Sequence, residues 1–350
     1  YPLLKSILKM KKSLMTLGVL ALFVLMAYGQ EKKFALYSVA FYNMENLFDT
    51  IHDEGKNDYE YLPNGTNQWN TMKYKAKLKN MSEILSMLST DKLPMGPAII
   101  GVSEIENYRV LEDILKQPAL ADRGYQYVHY EGADQRGVDC AFFYNPKLFE
   151  LTNSKLVPYV YINDTVHKTR GFLIASGNIA GEKMHFIVNH WPSRAAASPA
   201  RERAGEQVRA IKDSLLREDS AAKIVIMGDM NDDPMDKSMA VALGAKRKPA
   251  DVGPTDLYNP WWDTLKKGYG TLMYKGKWNL FDQIVFTGNL LGTDRSTLKF
   301  YKHEIFRRDF MFQKEGKYKG YPKRTQAGGV WLNGYSDHLP TIIYLIKEVK

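Results

Sequence analysis

From residue 34 onward, short apolar runs alternate with longer segments in which apolar residues recur at helical spacing. The apolar runs predict strands over residues 34–43, 98–103, 125–131, 138–144, 171–176, 183–189, 223–227, 280–287 and 339–346. The amphipathic segments predict helices over residues 69–89, 110–116 and 199–217. This alternation favours a layered α/β domain over an all-α or all-β fold.

Two long segments interrupt the pattern. Residues 49–67 are rich in acids, asparagines and glycines, and residues 246–276 are similar but carry several aromatic side chains. Both predict surface loops rather than linkers between domains, because motifs of one apparent site lie on either side of each. We therefore expect a single domain over residues 30–350.

The first residues have the pattern of an export signal. Met10, Lys11 and Lys12 precede the apolar run 14–28, and small residues follow it. The run is shorter than the roughly 20 residues that a membrane span needs, which favours a cleaved signal peptide over an anchor. We assign residues 1–29 to an upstream extension and signal peptide, and expect an exported protein, periplasmic or secreted, without a stable membrane anchor.

Charge and cysteine content constrain the function only weakly. The formal net charge is +9, and loss of the four lysines of residues 1–29 would reduce it to +5. This mild excess is compatible with a polyanionic substrate such as nucleic acid. The single cysteine, Cys140, excludes an intrachain disulfide and is interpreted as a small core residue.

Polar motifs stand at the ends of the predicted buried strands. Asp229 and Asn231 follow the strand 223–227, and Asp337 and His338 precede the strand 339–346. Carboxylate and amide oxygens are hard ligands that suit magnesium, manganese or calcium, and the chain lacks the His-Glu-x-x-His and paired-cysteine patterns of zinc sites. These motifs indicate a metal-assisted phosphate ester hydrolase.

The order of the motifs resembles the endonuclease/exonuclease/phosphatase superfamily, the group that contains deoxyribonuclease I. The resemblance runs from about residue 39 to residue 345. The residues that carry it are Asn43 in Tyr-Asn-Met-Glu-Asn, Glu104 in Val-Ser-Glu, His190 in Asn-His-Trp-Pro, Asp229 and Asn231 in Gly-Asp-Met-Asn, Asp282 in Phe-Asp-Gln-Ile, and Asp337 and His338 in Ser-Asp-His-Leu-Pro. The resemblance implies an α/β (α+β) fold, a four-layered α/β/β/α sandwich of two mixed β-sheets.

The same resemblance implies roles for the motif residues. Glu104 would be the principal metal ligand, with Asn43 and Asp337 beside it. Asp229 would orient or deprotonate the attacking water or bind a second metal, while Asn231 would hold a phosphate oxygen. The remaining catalytic residues would be His190 and the pair formed by His338 and Asp282.

Supporting residues are also expected around these. Glu131 resembles the deoxyribonuclease I glutamate that supports the histidine equivalent to His190. Arg136 and Arg194 could bind phosphate through their planar guanidinium groups. Glu45, together with Asn46, lies beside Asn43 in sequence and is expected to support it.

These residues lead to one principal hypothesis and three alternatives. The first hypothesis is an exported, Mg²⁺-dependent phosphodiesterase, a nuclease acting on DNA or RNA as a monomer, with Mn²⁺ or Ca²⁺ as other possible ions. The alternatives are a sphingomyelinase-like phospholipid esterase, a sugar or inositol phosphate esterase, and a non-catalytic polyanion- or glycan-binding module that uses the aromatic segment 261–274. Residues 278–283 depart from the inositol 5-phosphatase signature, which weakens the inositide alternative.

Overall fold

The computed structural model of the chain describes residues 32–162 and 166–349. Residues 36–347 form one compact unit. The signal-peptide prediction for residues 1–29 lies outside the described residues. Within the described ranges, none of the helices combines the length and hydrophobicity that a transmembrane span requires.

Strands dominate the described residues, which also contain four α-helices. The strands are, in chain order, β1 (Lys33–Leu47), β2 (Ile99–Ile105), β3 (Gln126–His129), β4 (Asp139–Tyr144), β5 (Glu150–Val157), β6 (Phe172–Ile179), β7 (Glu182–His190), β8 (Lys223–Asp229), β9 (Ala245–Lys246), β10 (Leu257–Tyr258), β11 (Leu272–Tyr274), β12 (Lys277–Asn279), β13 (Asp282–Thr287), β14 (Lys299–Ile305), β15 (Gln326–Ala327), β16 (Val330–Trp331) and β17 (Thr341–Val349). The helices are α1 (Thr71–Met87), α2 (Tyr108–Leu115), α3 (Ser198–Glu218) and α4 (Trp262–Lys266).

Most of the strands form two sheets of mixed direction. The first sheet has the order β14-β17-β1-β2-β4-β3, and the second has the order β5-β6-β7-β8-β13-β10-β9. In the first sheet β1 runs parallel to β2, and in the second β7 runs parallel to β8 and the short β9 to β10, whereas β2 with β4 and β8 with β13 are antiparallel. Two small hairpins, β11 with β12 and β15 with β16, stand outside both sheets.

Three apolar layers hold the fold together, because successive strand residues point to opposite faces. On β1, Val39 and Phe41 pack between the two sheets, whereas Ala40 and Tyr42 face α1 and α2. The outer face of the second sheet packs on α3 through a third cluster. The predicted four-layered α/β/β/α sandwich is confirmed.

The predicted strands and helices are all present, and the structure adds elements that the apolar pattern did not indicate. Half of the residues of β5 are exposed, and β14 is half-buried except at the exposed Tyr301, so neither has a continuous apolar run. Residues 246–276 are not one long loop, since they contain β10, α4 and β11. Short edge elements of this kind are specified by their tertiary neighbours rather than by local hydrophobicity.

Candidate active site

The predicted site residues meet at one end of the layer between the two sheets. Strand alternation explains this for four of them, which continue inward-facing rows of apolar residues. On β1 the row is Val39, Phe41 and then Asn43. The rows on β7, β8 and β13 place three more polar residues at the same end, namely His190, Asp229 and Asp282.

Glu104 reaches this layer only because β2 contains a bulge. Ser103 pairs with Cys140 of β4 and Ile105 pairs with the next residue, Asp139, so Glu104 is an extra residue without a partner. Ile100 and Val102 face the helices, and after the bulge Ile105 faces them too. A bulge redirects the strand by one residue and thereby turns the Glu104 carboxylate toward the site.

The backbone around the site is strained at several positions. Nine non-glycine residues of the described chain have positive φ, and four of them are Glu45, Asn46, Glu104 and Asn231. Residues other than glycine rarely adopt this left-handed conformation, which costs about 1–3 kcal/mol and persists at sites where the surroundings enforce it. The strain is therefore concentrated where the carboxylate and amide groups converge.

Asn43 joins the two carboxylates of the site. Its amide nitrogen donates to Glu104 Oε1 at 3.3 Å and to Asp229 Oδ2 at 3.0 Å, and its oxygen accepts from the backbone N–H of Glu45 at 2.8 Å. In this arrangement Asn43 positions the carboxylates and presents its nitrogen to the site. Its predicted role as a metal ligand would require rotation of the amide, and it stays a prediction.

Sheet register brings together three residues from distant parts of the chain. His190 on β7 and Asp282 on β13 are both register partners of Asp229 on β8, which lies between them. The strands approach closely at Gly228, where a Cβ would lie 2.3 Å from the carbonyl oxygen of Asn189. Only glycine fits there, which explains the glycine of the Gly-Asp-Met-Asn motif.

His338 and Asp282 form a buried pair. Nδ1 of His338 lies 2.7 Å from Asp282 Oδ2, and its Nε2 lies 3.8 Å from Asp229 Oδ2. Burial alone would lower the pKa of His338, but the carboxylates of Asp282 and Asp229 overcome this and hold it well above its ordinary value. The contact with Asp282 therefore favours the cationic form of the imidazole.

His190 has the opposite electrostatic character. Its Nε2 lies 3.8 Å from Glu104 Oε1 and 3.7 Å from Asp229 Oδ2. Burial nevertheless lowers the pKa of His190 well below its ordinary value, and the positive charges of Arg170 and Arg136 lower it further. The neutral form follows, because the distances to the carboxylates exceed those of direct hydrogen bonds.

The predicted partnership of Glu131 with His190 is absent. The Nδ1 atom of His190 is buried and makes no hydrogen bond with any described residue. Glu131 instead lies with His129 and Asp139, whose side chains are 3.2 Å apart. The carboxylate follows the edge strand β3 and does not enter the layer between the sheets.

Arg170 is a site neighbour that the sequence motifs do not indicate. It lies just before β6, donates to Asp134 Oδ2 at 2.9 Å, and donates to the backbone oxygen of Trp191 at 3.0 Å. Trp191 O also accepts from the Asn231 amide nitrogen. Arg170 thus connects Trp191, the residue after β7, with Asp134. It stands outside every motif of the sequence, and so the motifs did not predict it as a site residue.

A second group of charges surrounds Asp337 at the edge of the site. Arg324 donates to Glu45 Oε1 at 2.8 Å and lies 3.0 Å from Asp337 Oδ2. The fully buried Lys77 donates to the backbone oxygen of Tyr335 and lies 4.0 Å from Glu45 Oε2. Glu45 therefore anchors the residue 324 segment beside the site, and its predicted proximity to the Asn43 group is observed.

The two predicted phosphate-binding arginines differ in their surroundings. Arg194 lies 2.9–3.4 Å from the carboxylates of Asp232, Asp233 and Asp236, which already compensate its charge. Arg136 is exposed, and among the described residues its guanidinium donates to the neutral Asn46 side chain and has no salt bridge to a carboxylate. Arg136 therefore retains an uncompensated positive charge near the site, whereas Arg194 holds the loop that follows Asn231.

The carboxylates and histidines form two groups with the spacing of metal ligands. Glu104, His190 and Asp229 make one, Asp229, Asp282 and His338 make the other, and within each group the ligand atoms lie within 4.8 Å of one another. Burial raises the pKa of Asp229 to about 7, and although His338 opposes this, Asp282 adds to it. A divalent cation would relieve this repulsion, so the first group fits one.

Solved structures share the fold over nearly the whole chain. An endonuclease/exonuclease/phosphatase family protein from Bacteroides thetaiotaomicron is 15% identical, with a TM-score of 0.56, covering 91% of this chain and 98% of its own. A mannosyl-6-phosphatase of the same organism is 14% identical, with a TM-score of 0.54 and coverages of 88% and 99%. D. rerio TDP2, complexed with a single-strand DNA product, is 14% identical, with a TM-score of 0.51 and coverages of 89% and 99%.

A search of curated proteins found no significant match. A family model does match, and it covers residues 38–347, from within β1 to the end of the compact unit. The match includes every strand end and loop that carries a site residue. The chain is a member of the Endonuclease/Exonuclease/phosphatase family and, with it, a hydrolase of phosphate esters.

Proposed function

We propose that the protein is a divalent-metal-dependent phosphodiesterase, a nuclease that acts on DNA or RNA. One observation carries the proposal: a cationic, buried His338, paired with Asp282, faces the carboxylate of Asp229 beside the Glu104 group. Cleavage of a phosphodiester by water requires a proton acceptor for the water and a proton donor for the leaving oxygen. Asp229 and His338 supply these two groups in one buried site.

The donor set supports a hard divalent cation, and Mg²⁺ is the proposed ion. Glu104 would hold it through its carboxylate oxygens, with Asp337 and, after rotation of its amide, Asn43 as additional ligands, and Asp229 is left to act as the base. When bound, such a cation neutralises charge on the phosphate oxygens and lowers the pKa of water. A bound cation would also reduce the repulsion between the neighbouring carboxylates of Glu104 and Asp229.

The protein side chains supply the remaining steps. The buried Asp229 carboxylate accepts a proton from the attacking water, because its raised pKa makes it a competent base near neutral pH. The His338 imidazolium donates a hydrogen bond to a phosphate oxygen and a proton to the leaving oxygen. Asp282 keeps the ring oriented and charged through Nδ1. The neutral His190 faces the same space and orients the substrate.

Export also remains part of the proposal. The charged start and apolar centre of residues 10–28 support a signal peptide. The single buried Cys140 is compatible with an oxidising compartment, since no second cysteine is available to pair wrongly. Edman sequencing of the exported protein would test this, and an amino terminus at Gln30 is expected.

A small pocket beside the site favours a second candidate, a sugar phosphate monoesterase. The pocket has a volume of about 190 Å³, below the roughly 300–1,000 Å³ of sites for drug-sized ligands. It is lined by hydroxyl, amide and charged groups, among them Tyr61, Asn67, Asn46, Gln326, Glu60 and Arg324. Such a lining suits one hydroxyl-rich ring, and the fold of the mannosyl-6-phosphatase is similar.

The non-catalytic alternative loses one of its aromatic residues. In the segment 261–274, Tyr269 and Tyr274 are exposed, but Trp261 is fully buried and donates to the backbone oxygen of Ile284. Its ring belongs to the core between the sheets. The complete acid and histidine set instead favours catalysis.

The deciding experiment is a substrate panel with Mg²⁺ or Mn²⁺. It would contain single-stranded DNA, RNA, plasmid DNA, bis-p-nitrophenyl phosphate, mannose 6-phosphate, inositol phosphates and sphingomyelin. We expect cleavage of nucleic acid and of the small diester, and a loss of about 10²–10⁴-fold in His338→Ala. Hydrolysis of the sugar phosphate alone would favour the second candidate. Full activity of His338→Ala would refute the catalytic assignment.

A further inference from the structure

The net positive charge of the chain is concentrated in two segments. Residues 266–278 and 307–323, here called the basic aromatic surface, contain ten lysines and arginines but only two acids, Asp309 and Glu315. Their net charge of +8 is nearly the whole formal charge of +9. The rest of the chain is thus almost neutral. The excess positive charge is therefore confined to these two segments, where it would attract a negatively charged ligand.

These cations are exposed and uncompensated. Eight of the ten are exposed to solvent, and Arg307 and Lys323 are half-buried. Within residues 32–162 and 166–349, none of the ten has a salt bridge to a carboxylate. Elsewhere on the chain cations commonly have an acidic partner, as Arg109 has Asp49 and Asp53. Such a field attracts a polyanion.

The two segments form one continuous surface. The Arg307 guanidinium lies 5.6 Å from the ring centre of Tyr269 and 5.0 Å from that of Trp278. The backbone N–H of Gly276 donates to the hydroxyl of Tyr321 at 2.6 Å. The hairpin of β11 and β12 is therefore fastened to the 307–323 segment by both ring contacts and a hydrogen bond.

The surface begins at the active site. Leu272, the first residue of β11, forms a β-bridge with His338. The preceding Thr271 accepts from the backbone N–H of Leu339 through its carbonyl and from that of Asp282 through its hydroxyl. A ligand that follows the hairpin inward thus arrives beside the His338 and Asp282 pair.

Aromatic rings are interspersed among the cations. The exposed large hydrophobic residues of the surface are all aromatic, namely Tyr269, Tyr274, Phe310 and Tyr318. Lys275 lies over Tyr274 and Lys317 over Tyr318, at 5.3 and 5.6 Å from the ring centres. Cations that contact phosphates and rings that stack on bases are the two elements of single-strand recognition.

The same surface contains a cavity of about 390 Å³. Arg307, Arg308, Lys314 and Lys319 line it together with Phe312, and Asp309 is its one acidic residue. The combination of four cations with an aromatic wall suits a nucleotide, because cations bind its phosphate and an aromatic ring stacks on its base. The cavity is therefore a binding site for one nucleotide on this surface.

We propose that the basic aromatic surface binds single-stranded nucleic acid and guides it to His338. The inference rests on the proposed phosphodiesterase function and specifies its substrate. A duplex hides the faces of its bases, so exposed rings favour a single strand. A membrane surface would call for several exposed Trp, Phe or Leu side chains for insertion, and this surface presents one phenylalanine beside three tyrosines.

Binding can be measured without cleavage. Fluorescence anisotropy in EDTA would follow a labelled oligonucleotide of about 20 nucleotides, long enough for the 4–16 nucleotides that such surfaces cover. The same oligonucleotide as a duplex and vesicles of phosphatidylserine and phosphatidylcholine form the other arms. We expect the single strand to bind more tightly than the duplex, and no binding to the vesicles at the same salt concentration.

Variants assign the binding to the surface. Simultaneous replacement of Lys314, Lys317 and Lys319 by alanine should weaken binding about 10- to 100-fold and lower the slope of log Kd against log salt by about 2. Tyr274→Ala and Tyr318→Ala should each weaken binding roughly 5- to 100-fold with an unchanged slope. The matched control replaces the exposed Lys79, Lys147 and Lys248, which lie outside the surface, and should bind like the wild type.

Three results would overturn the inference: a preference for the duplex, binding to vesicles without binding to either nucleic acid, or equal losses in the surface and control triple variants. Thermal unfolding of each variant separates misfolding from lost contacts. Hydrolysis of bis-p-nitrophenyl phosphate by the wild type is measured in parallel. If the wild type hydrolyses this small diester but binds no single strand, the surface assignment fails and the phosphodiesterase proposal stands.

Discussion

Asp282 and His338 are separated by 56 residues in sequence, and Asp282 Oδ2 lies 2.7 Å from His338 Nδ1. Both side chains are buried, and the other carboxylate oxygen of Asp282 has no hydrogen-bond partner among the described residues. A buried carboxylate is stable here because it faces a cation. The pair therefore sets the protonation state of His338.

Asp282→Asn should shift the pH dependence of the enzyme. The substitution removes the negative charge that raises the pKa of His338 while an oxygen still accepts from Nδ1, so the pKa should fall. If His338 acts as an acid, the alkaline limb of kcat/KM moves to lower pH. The profile is measured with bis-p-nitrophenyl phosphate. An alkaline limb that does not move would exclude His338 as the titrating acid.

Glu104→Gln should weaken metal binding. The neutral amide keeps the shape of the side chain but loses the charge that attracts a divalent cation, so half-maximal activity should need at least about 100-fold more Mn²⁺. Calorimetric titration of Mn²⁺ would report the same change without substrate. Glu112→Gln on the exposed face of α2 is the control. Equal Mn²⁺ affinities in the two variants would argue against a metal at Glu104.

Arg136→Ala should weaken substrate binding more than Arg194→Ala. Arg136 has no carboxylate partner among the described residues, so removing it should raise KM about tenfold, the value of one charge-assisted hydrogen bond. Arg194 is held by three carboxylates, and KM should change by less than about twofold when it is removed. Steady-state kinetics with an anionic diester checks both. The reverse order of effects would show that Arg194 reaches the substrate.

Lys77→Ala should destabilise the protein. The side chain is fully buried, and its removal would leave Glu45 with less charge compensation and Thr325 without a donor. Loss of one partner of a buried pair costs about 3–5 kcal/mol in the free energy of unfolding. Lys79→Ala, two residues further on the same helix and exposed, should change this free energy by less than about 0.5 kcal/mol. Urea unfolding that ranks the two variants equally would contradict the burial argument.

The sequence by itself determined the layered fold and the chemistry of the site. Strand-length apolar runs predict strands because a buried strand needs apolar residues on both faces, and the polar groups of the motifs stand where those runs end. The family resemblance depends on the same residues, Asn43, Glu104, His190, Asp229 and His338, and the family match confirms it. None of this required knowledge of which strands are neighbours.

Tertiary structure decided the geometry. Sheet register makes Asp229 the common partner of His190 and Asp282, and a bulge turns Glu104 inward, although a regular β2 would point it toward the helices. Edge placement of β3 separates Glu131 from His190. Contacts between residues far apart in the chain depend on strand order and register, and these are set by the packing of whole faces, which no local pattern of residues encodes.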